Sequence, residues 1–308
     1  MTSLSGTPRR IATLVAAMVL SATAFALPLA AAKPTCHVVD VASNTSFRSL
    51  QAAVDAASSA AELRVKGTCV GNTTIVKDLV IRGKSNGGFG PATLDGANDG
   101  RVLTIHGGVT VTLDSLLVTN GNATFGAGIA TEFDLDNPGL NVVTVIDSVI
   151  RDNTATDYGG GIANDHGNVT LIDTTVRENS AVIGGGIHNS RDQGDLSLTG
   201  ASSVSRNDAS GDGGGIYADT HGNVELHDES SVHHNSAGGN GGGIYLGDSV
   251  VRLNDTSSVH SNTAGGNGGG VFIAAMFAVF ELLDASSVSG NSPNNVCSAD
   301  WPGSPGCT

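Results

Sequence analysis

From about residue 140 onward, apolar and polar positions alternate in short runs, NVVTVID, NVTLID, NVELHD and VVRLND, that recur along the chain. Strict alternation over this length reads as a β-strand with one buried face. Val143/Val145, Val169/Leu171, Val224/Leu226 and Val251/Leu253 would share the inner side. A second short apolar run recurs at Ile150, Val176, Val204, Val232, Val259 and Val288, each three residues before an asparagine. A third follows each glycine cluster, led by Ile162, Ile187, Ile216, Ile244 and Val271. Three short strands per repeat with no helix between them predict a coil of a parallel β-solenoid, spanning residues 62–291.

The glycines set the period. Triple glycines begin at Gly159, Gly184, Gly213, Gly241 and Gly268, at spacings of 25, 29, 28 and 27 residues. Glycine inside a regular element costs roughly 0.5–1 kcal/mol against alanine, so a repeated glycine needs a repeated cause. A corner stacked about 4.8 Å from its copies supplies one, through positive φ and close backbone approach. Asn153, Asn179, Asn207, Asn235 and Asn262 precede the clusters and would stack as a ladder that satisfies corner backbone groups. Asn120, ahead of Gly126, would open the series and Asn291 would close it.

The units IRDN, VREN, VSRN, VHHN, VHSN and VSGN, ending at those asparagines from Asn153 to Asn291, combine with GGGI or GGGV clusters in all coils but the last. They resemble the right-handed parallel β-helix repeats of the pectin-lyase-like superfamily, and are especially similar to the FxxN and GGAI repeats of polymorphic outer-membrane proteins. The resemblance implies an all-β, right-handed parallel β-helix. For function it implies only a range, because that superfamily includes lyases, hydrolases, adhesins and proteins without known activity. The NTD, DD, GHG and RIK motifs of its hydrolases and the vWiDH and RxPxxR motifs of its pectate lyases are absent.

The ends carry different signals. Arg9 and Arg10 precede an apolar run that ends in small residues near Ala32, the pattern of a secretory signal peptide over residues 1–32. Residues 33–61 would form an N-terminal cap, with a helix capped at Ser46 that turns Phe47, Leu50 and Val54 to one side. Export favours disulfides, and local pairing joins Cys36 to Cys69 and Cys297 to Cys307. The tail, residues 292–308 with Trp301, would then cover the last coil. The chain has 15 basic and 29 acidic residues, a net charge of −14 that becomes −16 once Arg9 and Arg10 are removed. This excludes a nucleic-acid backbone or an anionic membrane as the main partner, and no second apolar span follows the signal.

Glycine-rich phosphate loops and calcium-binding nonapeptides do not fit the period or the residues. The aspartates Asp114, Asp147, Asp173, Asp228, Asp255 and Asp284 recur at one point of the repeat and read as turn caps. Two outward rows remain. Arg151, Arg177, Ser205, His233 and His260 would stack on the V-x-x-N strand, where the arginines either lean on Asp152 and Glu178 or meet an anion. With those two acids they are the candidate catalytic set of a polysaccharide lyase, which could use calcium; otherwise no cofactor is expected. No carboxylate-backed metal site is evident around His233, His234 and His260. Ala163, His188, Tyr217, Tyr245 and Phe272 form the second row, and its four rings are either the candidate binding residues for an extracellular glycan or cross-strand neighbours that stack on one another and stabilise the sheet. The reading is a secreted, non-catalytic, adhesin-like module; a uronate polysaccharide lyase and a structural spacer are the alternatives.

Overall fold

The computed structural model describes residues 2–3, 35–84, 91–190, 194–299 and 307. The predicted signal peptide, apart from residues 2 and 3, and Trp301 lie outside the described residues. Residues 33–308 form one unit. It is a parallel β-solenoid of about eight turns.

Each central coil has four strands rather than three. One coil runs through Asn141–Ile146, Val149–Arg151, Thr154–Tyr158 and Ile162–Asn164, here called the first to fourth faces. The next coil begins at Gly167–Ile172, which pairs in parallel with Asn141–Ile146 from Asn141↔Gly167 to Ile146↔Ile172. Among the described residues the four sheets have 11, 9, 6 and 9 strands, the first of them including the two antiparallel strands His37–Asp40 and Thr45–Phe47. The third face is short, only two residues wide at Ser180–Ala181, Asp208–Ala209, Ser236–Ala237 and Thr263–Ala264. Its inward residue is alanine in every one of these coils, and Ala155, Ala181, Ala209, Ala237 and Ala264 are buried. A two-residue strand shows no alternation, so the third face had no signature in the hydrophobic pattern.

The expected inward residues fill the interior. Val143, Val169, Val224 and Val251 of the first face, Ile150 through Val259 of the second, and Ile162 through Val271 of the fourth are all at most 2% exposed. They belong to one continuous core cluster, against which Val288 of the last coil packs only partly buried. At roughly 25 cal/mol per Å2, burying each such side chain contributes about 1.5–3 kcal/mol relative to leaving it in water.

The corner glycines divide two tasks. Gly213 has φ of +70°, a left-handed conformation that costs a side-chain-bearing residue energy. Its neighbour Gly214 is needed for space, since a Cβ there would stand 2.4 Å from the Ser236 carbonyl oxygen of the adjoining coil. Close approach is thus the larger demand.

The asparagines form the ladder. Asn207 Oδ1 accepts from both the backbone N–H and the Nδ2 of Asn179, each at 3.0 Å. Asn207 Nδ2 in turn donates to the Val176 carbonyl and to Asn235 Oδ1, each at 3.0 Å. The pattern continues through Asn262 to Asn291. Asn120 is not its first member. It occupies the preceding left-handed corner position, φ +56°, and Gly121 stands in the ladder, donating to Asn153 Oδ1 at 2.8 Å. The extra Gly–Asn resemblance had shifted the alignment by one residue.

The ends also depart from expectation. A helix is present at Leu50–Ala56, with Leu50, Ala53 and Val54 buried, but its N-cap is Ser49, whose side chain accepts from the Ala52 N–H. Ser46 and Phe47 instead lie in a strand, Thr45–Phe47, antiparallel to His37–Asp40. The strand His37–Asp40 also pairs antiparallel with Ala61–Lys66, so the first parallel coil is bordered by a hairpin. The solenoid begins at Ala61 and reaches past residue 291, because Val296–Ser298 pairs in parallel with Val271–Ile273. Disulfides join Cys36 to Cys69 and Cys297 to Cys307, as the local pairing predicted.

Candidate functional site

The outward row of the fourth face is held in register by its strands: Ala163↔His188, His188↔Tyr217, Tyr217↔Tyr245 and Tyr245↔Phe272. Their inward neighbours Ile162 to Val271 fix the orientation, because side chains alternate along a strand. The rings stack on one another. Tyr217 and Tyr245 have centroids 4.5 Å apart and planes 5° apart, and His188 lies 5.3 Å from Tyr217 at 11°. Phe272 is tilted against Tyr245 at 5.6 Å.

Two further rings belong to this column and were missed from sequence. Tyr158 packs on His188 at 4.8 Å, and Phe125 stacks on Tyr158 at 5.5 Å and 16°. Both come from the end of the third face, immediately before the glycine corner. In their coils the outward residue of the fourth face is Ala130 or Ala163, and both alanines are buried. The column therefore continues by drawing its ring from a different position of the repeat. Later coils have Ile183, Asp212, Asn240 and Asn267 before the glycines, so no repeated letter marked this position. The Arg101 guanidinium lies 4.7 Å from the Phe125 centroid and pairs with Glu132, closing that end of the stack.

Six rings thus spend their faces on each other. A sugar ring cannot stack on a face already occupied, so the column offers outward edges and tyrosine hydroxyls instead. Burial and the carboxylates Asp212 and Asp219 hold the Tyr217 hydroxyl well above the ordinary tyrosine range, so it stays protonated; Tyr245 is raised in the same direction by burial. His188 is 8% exposed, and burial lowers its pKa to about 4, with Asp219 opposing the shift. The imidazole is neutral at physiological pH. Beside it lies an open hollow of about 380 Å3 lined by Asp157, Tyr158, Asp165, Ile183, His188, Ser190, Tyr217 and Asp219.

The second-face row is different in kind. Arg151 stacks over Arg177 in register, and each bonds to the acid that follows it in sequence, Arg151 to Asp152 at 2.5 Å and Arg177 to Glu178. Asp152 and Glu178 sit at left-handed corner positions, φ +56° and +57°, which turn their carboxylates back beside their own arginines. The two arginines, with Asp147, edge an apolar groove floored by Leu116, Leu117 and Val149. His233 and His260 stack at 5.0 Å and 3°, His233 Nδ1 meets His234 Nδ1 at 2.7 Å, and His233 Nε2 meets Ser203 Oγ at 3.1 Å. Burial, then the neighbouring histidines and Arg206, lower the His233 pKa to about 4. Among the described residues no group of three or more His, Cys, Asp or Glu side chains is arranged to hold a metal ion.

The recurrent aspartates cap turns between coils. Asp173 Oδ1 accepts from the Ala201 N–H at 2.8 Å, Asp228 from Gly200 at 2.9 Å and Asp255 from Asp228 at 2.9 Å. Asp147, Asp173, Asp228, Asp255 and Asp284 all have φ between +47° and +57°. Asp114 is the exception: Ser115 takes its corner, and Asp114 receives Arg82 at 2.7 Å. The chain matches no family model, no curated protein and no solved structure.

Proposed function

We propose that the chain is an exported, non-catalytic β-solenoid module that holds an extended glycan along its fourth face. The observation that carries this reading is the column of six rings, Phe125, Tyr158, His188, Tyr217, Tyr245 and Phe272, running coil to coil along one side. A polymer lying along the axis would meet a hydroxyl or ring edge at about every 4.8 Å. Its contacts would be hydrogen bonds to the Tyr217 and Tyr245 hydroxyls and van der Waals contact with edges. Two disulfides fit an oxidising environment, and the extracellular location follows from the N-terminal signal pattern. The lyase alternative is less well supported, because Arg151 and Arg177 are each engaged by an adjacent acid rather than converging with a base on one point.

Retention of the mature chain on immobilised polysaccharides tests the reading. The chain is expected to be retarded on at least one glycan gel, and Tyr217→Ala/Tyr245→Ala to be eluted with the void. Wild-type and variant chains eluting together on every gel would contradict it. Release of unsaturated products from a uronate polysaccharide, read by ultraviolet absorbance, would favour the lyase instead.

A further inference from the structure

The hollow beside the middle of the ring column is built around a residue that the stack does not fully employ. His188 is 8% exposed, with Tyr158 on one side of its ring and Tyr217 on the other. Those contacts use its faces. Among the described residues neither ring nitrogen has a hydrogen-bond partner, and the side chain lines the hollow. Neither nitrogen is among the sealed, unpartnered atoms of the described residues, so water or a ligand entering the hollow can reach them. Three carboxylates, Asp157, Asp165 and Asp219, line the same hollow, and the Tyr158 and Tyr217 rings flank it. Asp157 is exposed and Asp219 half-buried, so both carboxylates can be reached by a ligand from outside.

We infer that this hollow receives an ammonium group, His188 accepting one of its N–H bonds while Asp219 and Asp157 supply the balancing charge. The geometry suits an amine better than a metal ion, since the carboxylates and imidazole are not drawn together into a coordination set. A neutral imidazole can accept from an ammonium group, whereas a charged one would repel it. Burial keeps His188 in that neutral form well below pH 6. The chain's net charge of −14 favours approach of a polycation. Resting on the glycan reading above, this makes the ligand an amino-sugar polymer with free amines, laid along the rings with one ammonium seated beside His188.

Isothermal titration calorimetry at pH 6 and low salt, on the full chain, decides the matter with three probes: a glucosamine hexamer, its fully N-acetylated counterpart, and hexalysine. The glucosamine hexamer is expected to bind at least tenfold more tightly than the acetylated one. Asp219→Asn and His188→Phe should each weaken it about tenfold, the latter while keeping a ring in the stack and a melt no lower than the wild type. Glu229→Gln, an equal charge change on an exposed residue between the first and second faces, should leave binding as it is. Equal binding of both hexasaccharides, indifferent to Asp219→Asn, would overturn the ammonium site and leave the glycan reading standing. Hexalysine binding that depends on Asp219, with no response to either saccharide, would keep the site and overturn the glycan reading. Equal losses from Asp219→Asn and Glu229→Gln would reduce the attraction to net charge and overturn the site. Three silent probes would overturn both.

Discussion

The asparagine ladder and the ring column run along the same coils, yet one is closed and the other is half open. Each ladder asparagine from Asn153 to Asn262 is at most 1% exposed, and its amide oxygen and nitrogen are both engaged by adjoining coils. The rings engage their faces, and the Tyr217 and Tyr245 hydroxyls bond each other, which leaves ring edges, the remaining capacity of those hydroxyls and the His188 nitrogens for a ligand. A position whose every polar group is used can only stabilise. A position with groups left over can also bind. Substitutions in the ladder and its corner should therefore act on folding alone, and those in the column on folding and binding separately.

The largest effect should come from Gly214→Ala. The new methyl would meet the Ser236 and Gly242 carbonyl oxygens at 2.4 and 2.5 Å, both backbone atoms that cannot swing aside. A loss on the order of 4 kcal/mol, or failure to fold, is expected from urea denaturation. Asn207→Ala should follow at about 3 kcal/mol, because it takes the acceptor from the Asn179 N–H and from one Nδ2 hydrogen, and the side-chain donor from the Val176 carbonyl, in the interior. A loss under about 1 kcal/mol in either would mean that the corner relaxes and that the closed column is not closed.

Acid should act on the open column next. His188 titrates at about 4 when folded and at the ordinary 6.5 when unfolded, so the unfolded chain takes up the proton first as pH falls. Its contribution is intact above pH 6.5, erodes between 6.5 and 4, and is fully lost below 4, amounting to about 3 kcal/mol. His233 titrates over the same window in the same direction, with a smaller effect because it is half-buried and screened by solvent. Denaturation midpoints measured from pH 4 to 7 should rise with pH in the wild type and rise less in His188→Phe. Identical slopes would remove His188 from the account. Tyr217→Ala is expected to cost about 2 kcal/mol, a half-buried ring with two stacking partners, and to abolish glycan retention as well.

The closed column was far more legible in the sequence than the open one, and the reason is chemical. Only an amide that both donates and accepts can bridge coils in the ladder, so Asn recurs at every step from Asn153 to Asn291; only glycine fits Gly214, so GGG recurs too. The one misreading there, Asn120 for Gly121, arose where a left-handed corner also tolerates asparagine. The ring column accepts any flat side chain from either of two repeat positions. His188, Tyr217, Tyr245 and Phe272 were visible because they share one position, and Phe125 and Tyr158 were not, because they arrive from the other. Spacing left open whether the rings would bind a glycan or stack on one another, because it fixes the distance between rings but not their χ angles, and the structure shows them stacked. The helix start at Ser49 was obscured for a related reason: Thr45–Phe47 pairs with His37–Asp40, a tertiary contact that overrides the local capping signal at Ser46.

The claim that the rings stabilise by their faces and bind by their edges is tested most directly by Tyr217→Phe/Tyr245→Phe. Both stacks survive that change and only the two hydroxyls are removed. Melting temperature and glycan retention are measured on the same preparation. The account predicts a melt within about 2 °C of the wild type, a difference below 0.5 kcal/mol, together with loss of retention. Undiminished retention in that variant would contradict it.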